Sequence, residues 1–348
     1  FESLEEIQLK SLWHYRKSVE LASRTPLSEF SNLFNEYEMT DWAIEASDLF
    51  EFILFRAIKH YGQSNSFVSM PKDRFVLNDS ILFTYGERFA SYEFGQISEL
   101  DFIGQCLSFY QILASDEATD METRAYLFLH RIEYLRRKYE SVNREEMYIN
   151  ALRGFIQSPF STKAKAMAFV KMIEFYLDKG SSSNNRKYET DYFQEAFKWI
   201  QKYKMSYGSD GELNKIIDQQ RQRLLSSHLD LSMASVIIPG KDFLGHCNYR
   251  NVSELHLRLY KINLGRWDRI QGIWRTEEKL SLLDGLDIYR AWSQPLPDAE
   301  DLNFHAAEIP FEAVETGFYI LLASEDASFK VSGDNTLQLI PVNASALS

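Results

Sequence analysis

The feature that most constrains this chain is a change of hydrophobic period near residue 228. In Glu254–Ile262, Leu255, Leu257 and Leu259 alternate with His256, Arg258 and Tyr260. That period of two sends successive side chains to opposite faces of a strand. Earlier in the chain the apolar residues recur every three or four positions, as in Ala125, Leu129, Ile132 and Leu135, which lines one face of a helix. A chain of 348 residues with such a switch reads as two domains of different class. We expect an all-helical domain over 1–228 and an antiparallel β domain over 229–348.

Turn and cap residues divide the helical part. A first helix is expected over 2–22, with Leu4, Leu12, Tyr15 and Val19 on one face. A second spans 41–61, with Trp42, Leu49, Phe52, Ile53, Ala57 and Tyr61 inward and Gly62 as its C-cap, before a loop over 63–80. Ser98 is expected to cap a helix to Ala114, with Phe102, Ile103, Cys106 and Tyr110 inward, and Asp120 to open the next. Asn143 with Glu146 has the spacing of a capping box, and Pro159 stops that helix. Ser161 then caps a helix that Gly180 ends, followed by a polar loop over 181–186. A helix carrying Tyr188, Tyr192, Ala196, Trp199 and Tyr203 ends at Gly208, and Ser209 with Glu212 opens the last, through Leu224. Short-looped pairs at roughly 40 residues each suggest stacked helix hairpins, a tetratricopeptide-like repeat without the strict consensus.

Strands are expected at Leu229–Met233, Glu254–Ile262, Leu286–Trp292, Leu302–Ile309, Phe318–Ser324 and Thr336–Val342. Short strands at this density favour an immunoglobulin-like β-sandwich. Within it, the Gly317-x-Tyr319 pair sets a tyrosine where its hydroxyl can bond back to the main chain at a sheet corner. Gly265–Asp284 interrupts the strands as a long insertion, with Trp267, Ile270 and Trp274 on one helical face and Arg266, Arg269 and Arg275 beside them. Two readings stand: a protein-contact patch, or tryptophans that cover the sandwich core or the helical domain.

Charge and motifs exclude several function classes. After residue 228 there are 10 basic against 17 acidic residues, and before it 28 against 33. Neither half offers the basic stripe that a phosphate backbone requires, so no nucleic-acid partner is expected. Two cysteines, Cys106 and Cys247, cannot build a disulfide framework or a zinc ribbon. Phosphate-binding glycine loops, metalloprotease helices and nucleophile elbows are absent from the sequence. His130 and Glu133 stand at i, i+3 but lack the second pair that a di-metal bundle uses. His246 and Cys247 are adjacent in an extended run, so they point apart. His246, His256 and His305 are read as strand residues and not as a metal cluster. No cofactor or metal is expected. Asn78, Asn251 and Asn343 head glycosylation triplets that matter only in a eukaryotic secretory setting. No apolar run reaches the roughly 18 residues of a membrane span, so membrane association would run through segments outside this sequence. The first residue is Phe1 and the last, Ser348, follows a strand pattern; we expect a removed targeting segment or an excised piece.

Three runs carry a resemblance. They are Tyr249-Arg250-Asn251-Val252 with Leu255–Ile262, then Trp292-Ser293-x-Pro295-Leu296-Pro297-Asp298 with Asp301 and His305-x-x-Glu308-Ile309-Pro310, then Gly317-x-Tyr319-x-Leu321-Leu322-Ala323-Ser324. In order and spacing the β part resembles the first macroglobulin-type domain of the bacterial alpha-2-macroglobulin family, in its Bacteroidetes version. The helical part is similar to the segment that precedes that domain, chiefly at Asp48–Phe52 with Arg56-Ala57. The resemblance implies a non-catalytic portion of an exported periplasmic or cell-surface protein that traps proteases, with proteases or other envelope proteins as partners. The family's Cys-x-Glu-Gln thioester setting does not occur at Cys106 or Cys247. A different expectation, drawn from the aromatic-rich helices, is an envelope repeat protein that binds a peptide or glycan on a concave face.

Overall fold

The computed structural model describes residues 3–30, 46–63, 77, 79–182, 191–208, 212–297, 301–330 and 337–345. The expectations at Trp42, Asn78, Tyr188, Ser209, Asp298 and Thr336, and for most of the loops over 63–80 and 181–186, lie outside these residues. Among the described residues the regular elements are helical as far as Leu225, and antiparallel and mixed β-sheet follows from His228. By compactness the chain forms two units, Phe1–Met172 and Ile173–Ser348. The division falls inside a helix and not at the change of class.

The first unit holds α1 (Leu4–Leu21), α2 (Leu49–Gln63), the single turn α3 (Glu87–Ala90), α4 (Phe102–Ser115), α5 (Met121–Lys138) and α6 (Arg144–Gln157), and it ends within α7 (Thr162–Ser182). Ser3 and Glu6 close a reciprocal capping box on α1, with Oγ to N at 3.2 Å and Oε2 to N at 2.8 Å. Leu12 is its buried contact, whereas Leu4 is 51% exposed. The buried residues of α2 are Glu51, Leu54, Phe55, Ala57, Ile58 and Tyr61, so Ala57 and Tyr61 are inward as expected whereas Leu49, Phe52 and Ile53 are half-buried. Glu51 is buried among them because it accepts from Ser47 N and Oγ at 2.8 Å each and lies 3.8 Å from the Arg24 guanidinium. Gly62 lies inside α2 and is not its cap.

Other caps also differ from expectation. Asp101, not Ser98, caps α4, its Oδ1 accepting from Ile103 N at 3.0 Å and Gly104 N at 3.1 Å. Asn143 stands at the start of α6 but its side chain makes no cap bond. Asp120 caps α5 as expected, accepting from Glu122 N and Thr123 N at 2.7 and 2.9 Å. Ala125, Leu129, Ile132 and Leu135 of α5 are all fully buried and meet a core that includes Cys106, Leu107 and Leu113 of α4.

The second unit continues α7 and adds α8 (Tyr192–Tyr207), α9 (Glu212–Leu225), α10 (Leu264–Gln271), α11 (Thr276–Ser281) and eight strands. The strands are β1 (His228–Met233), β2 (Val236–Ile237), β3 (Phe243–Arg250), β4 (Glu254–Ile262), β5 (Arg290–Pro295), β6 (His305–Phe311), β7 (Gly317–Ser324) and β8 (Leu337–Ala344). One sheet runs β1-β3-β6, and the other β2-β8-β7-β4-β5. All pairings are antiparallel except β2 with β8. Leu231, Cys247, Tyr249, Ile309 and Phe311 of the first sheet share one buried cluster with Leu255, Leu257, Tyr319, Leu321 and Val342 of the second. A second cluster, with Tyr260, Ile262, Ile320 and Leu322, lies under α10 and α11, which cover the outer face of the larger sheet. The insertion therefore buries a face that would otherwise be wet and apolar.

Sequence period located β4 to the residue but placed β5 and β6 too early. It passed over β3 as an element, because Gly245, His246 and Asn248 are poor strand formers. The expected end of α7 at Gly180 is also displaced, since the helix runs on to Ser182. A Cβ at position 180 would lie 2.6 Å from the Phe193 ring of α8, so that glycine serves close packing and not termination. Gly180→Ala gains helix propensity of about 1 kcal/mol but overpacks by about 1–3 kcal/mol. We expect a net loss of about 1 kcal/mol in urea unfolding, and a variant more stable than the parent would refute the packing role.

Candidate functional site

Tyr249, Arg250 and Asn251 sit where β3 of one sheet turns into β4 of the other. Alternation sends Tyr249 into the core, where its hydroxyl donates to the Pro297 carbonyl at 2.7 Å. Arg250 points the other way and is 9% exposed. Its Nη2 donates to the Arg223 carbonyl at 2.9 Å and the Ser226 carbonyl at 3.4 Å, while its guanidinium carbon lies 4.7 Å from the Phe304 ring centroid. Asn251 adopts φ 54°, a left-handed conformation that asparagine tolerates better than most residues. Its Nδ2 donates to the Leu224 and Ser226 carbonyls at 3.0 and 3.1 Å. Together the two side chains satisfy the carbonyls that the C-terminus of α9 leaves unpaired, and a cation there also complements the helix dipole. Asp301 accepts from His305 Nε2 at 2.8 Å, and the Tyr249 and His305 rings are 5.7 Å apart. Tyr249 of the first sequence run thus meets Pro297 and His305 of the second, with Asp301 beside them.

At the third run, the Tyr319 hydroxyl donates to the Glu315 carbonyl at 3.0 Å, and Gly317 lies at φ 159° against the Lys261 side chain. In the insertion, Trp267 packs on Phe318 at 5.0 Å between ring centroids, Ile270 is buried, and Arg266 Nη1 donates to the Leu282 carbonyl at 2.9 Å. The shared face expected for Trp267, Ile270 and Trp274 does not form, because α10 ends at Gln271. Trp274 follows that break and stands 96% exposed. Arg269 is exposed, and Arg275 makes only a solvent-facing pair with Glu278 at 3.8 Å. Trp267 therefore belongs to the core, and Trp274 is the one tryptophan of this group available for contact.

The second unit holds a cleft of about 630 Å³ between β5 and the β3–β6 pair. It is lined by Phe243, Leu244, Ala291, Trp292 and Phe311, with Arg290 and Glu312 paired at 3.2 Å on its wall. Among the described residues β5 and β6 are both edge strands, so the main-chain groups on their outer sides are open to a further strand. Trp292 meets Phe311 edge-on at 5.7 Å, and Phe311 stacks on Phe243 at 5.0 Å. The sequence runs contained Trp292 but missed Phe243 and Phe311. The alternation of Phe243, Gly245, Cys247 and Tyr249 would have found β3.

The cysteines and the His130–Glu133 pair singled out by the sequence are engaged by their own surroundings. Cys106 and Cys247 are buried free thiols. Burial pushes Cys247 up to about 11 and Cys106 higher still, so neither is a thiolate at neutral pH. His246 faces solvent while Cys247 faces the core, so the two form no pair. His130 Nδ1 bonds the Tyr110 hydroxyl, and Glu133 is taken by Arg136 and Tyr148. Among the described residues no three of His, Cys, Asp and Glu converge on a common metal position.

No family profile matches the chain, and no curated protein matches it. Among solved structures, a CARDB domain from Pyrococcus furiosus, in complex with di-metal ions, is 12% identical, covers 34% of this chain and 87% of its own, and has a TM-score of 0.21. The Pseudomonas fluorescens alkylpurine DNA glycosylase AlkC, bound to DNA containing an abasic site analog, is 7% identical, covers 84% and 98%, and has a TM-score of 0.18. At such scores neither likeness carries an argument about this chain.

Two outcomes follow from these contacts. Arg250→Met keeps the bulk over Phe304 but removes hydrogen bonds from a charged donor, and should lower unfolding free energy by about 2 kcal/mol. An unchanged urea midpoint would mean that the α9 carbonyls find water instead. His130 is pushed down to about 3, first by burial and then by Lys171 and Arg137. A histidine depressed in the folded state adds stability that is complete above its unfolded value near 6.5 and shrinks as pH falls toward the folded one. Between pH 6.5 and 5 the loss should approach about 1.4 kcal/mol per pH unit, and His130→Gln should flatten that slope in thermal melts.

Proposed function

We propose that this chain is a non-catalytic portion of an exported alpha-2-macroglobulin-like protein of the periplasm or cell surface, acting as scaffold and docking surface for protease capture. The observation that carries the reading is the open cleft between the edge strands β5 and β6, floored by Trp292 and Phe311. An apolar floor between free strand edges suits an extended segment of a partner protein. Main-chain bonds would give affinity there, and alternate side chains would enter the cleft.

The finer fold is part of the same proposal. Strand order β1-β3-β6 against β2-β8-β7-β4-β5, with a tyrosine hydroxyl on β7 bonded back to residue 315, supports an immunoglobulin-like, macroglobulin-type sandwich. The helices are read as tetratricopeptide-like hairpin repeats. The clasp at Tyr249-Arg250-Asn251 supports an architectural role for the residues that carry the resemblance. In this reading the capture chemistry belongs to other parts of the full-length protein, since both thiols here are buried and protonated.

The full-length protein incubated with an endoprotease should be cut and should then shield the protease from a large protein substrate, leaving hydrolysis of a small peptide intact. Ala291→Lys puts a charge on the exposed face of β5 at the cleft. It should weaken partner binding about tenfold, about 1.4 kcal/mol, with no shift in thermal midpoint. A protein that stays uncut, or that leaves large-substrate hydrolysis unprotected, rules out the capture role.

A further inference from the structure

The helical unit contains an arginine that its own fold does not neutralise. Arg131 of α5 is 4% exposed. Its Nη2 donates to the Thr84 carbonyl, and its guanidinium carbon lies 3.3 Å from the centroid of the Phe89 ring. Its Nε is buried and has no hydrogen-bond partner among the described residues. The neutral phenols of Tyr110 and Tyr85 line its surroundings, and no carboxylate among the described residues pairs with it. Burial pushes it down to about 9, the direction of a cation without a counter-ion. Arg124 stands two turns earlier on the same helix. Its Nη2 donates to the Asp116 main-chain carbonyl at 2.7 Å, and its Nε is likewise buried without a partner. The Asp116 carboxylate itself is engaged by Arg24 and Thr119.

Both arginines line one cavity of about 260 Å³. A buried ion is retained at a free-energy penalty unless something compensates it, and here two guanidinium groups with an unused N–H each border the same space. We propose that this cavity, between Tyr85, Tyr110, Arg124, Phe128 and Arg131, is a binding site for a carboxylate with a small apolar or aromatic tail. Each guanidinium fork matches the two oxygens of a carboxylate. The ring of Phe128 and the side chain of Leu127 supply an apolar wall for the tail. The volume lies below the roughly 300–1,000 Å³ of sites for drug-sized ligands, so the tail is short. The mouth carries the exposed carboxylates of Glu87 and Glu117, which repel a dianion such as phosphate more than a monoanion. The carboxylate can be that of a free organic acid or the terminal carboxylate of a peptide, and the test separates these. The site is independent of the proposed cleft between β5 and β6.

Isothermal titration of the full chain with benzoate, benzamide and inorganic phosphate tests the chemistry. Titration with a short peptide ending in phenylalanine, as free acid and as amide, tests the source. Saturable binding of benzoate or of the free-acid peptide, at least tenfold tighter than the matching amide, supports the site, and the tighter of the two identifies the source. Arg124→Gln, at a half-buried position, should weaken that binding at least tenfold. Arg131→Met should abolish it while the ligand-free thermal midpoint holds or rises, because the variant removes an uncompensated buried charge. A purely structural arginine would instead lower the midpoint and leave binding untouched. Equal affinity for acid and amide, tighter binding of phosphate, unchanged affinity in Arg124→Gln, or no binding of any carboxylate overturns the proposal.

Discussion

The second unit depends on one contact, the engagement of the α9 C-terminus by Arg250 and Asn251. A helix C-terminus leaves carbonyls without intrahelical partners, and donors from elsewhere can satisfy them. Two consecutive residues supply those donors because the chain turns left-handed at Asn251 just as it leaves β3 for β4. The same turn fixes where one sheet hands the chain to the other. Tyr249 anchors it from inside through Pro297, and Phe304 stacks on the guanidinium from outside. A single corner therefore sets the end of the helix, the crossover between sheets and the approach to β6.

Around that corner the sheets solve their exposure problem asymmetrically. The outer face of the larger sheet is covered by the insertion between β4 and β5, through Trp267, Ile270 and Leu283. The edges formed by β5 and β6 are not covered among the described residues, and between them Trp292 and Phe243 are half-buried above the buried Phe311. Pro310 on β6 removes one main-chain donor from that strand, a common device against indiscriminate strand addition. A surface that is guarded but open is what selective docking requires, and this is why the proposed role centres on the cleft and not on the tryptophans of the insertion.

The first unit handles its buried charges in two ways. Around Glu51, Ser47 N and Oγ both donate to one carboxylate oxygen, and the Arg24 cation stands 3.8 Å from the other. Around Arg131 the described fold supplies the rings of Phe89 and Phe128 and one carbonyl, but no carboxylate. The difference matters because desolvating a charge is unfavourable by several kcal/mol unless partners replace the lost water. It separates a charge that organises the fold from one that is open to an external partner.

The sequence alone determined the class and order of the elements. Periods of 3.6 and 2.0 are properties of local backbone geometry, so α5, with Ala125 to Leu135, and β4, with Leu255 to Leu259, were legible from spacing. Caps made by short side chains to nearby amides, as at Asp120, were legible for the same reason. What only tertiary structure decided were the choices that depend on distant partners. The burial of Glu51 on α2 follows Ser47 and Arg24, the passage of α7 through Gly180 follows Phe193, and the break after Gln271 parts Trp274 from Trp267. Strand β3 escaped notice because its weak strand formers are held by β1 and β6 on either side. The cavity at Arg131 was invisible for the same reason: an unpartnered charge is defined by what the fold fails to bring to it, and no local pattern records that.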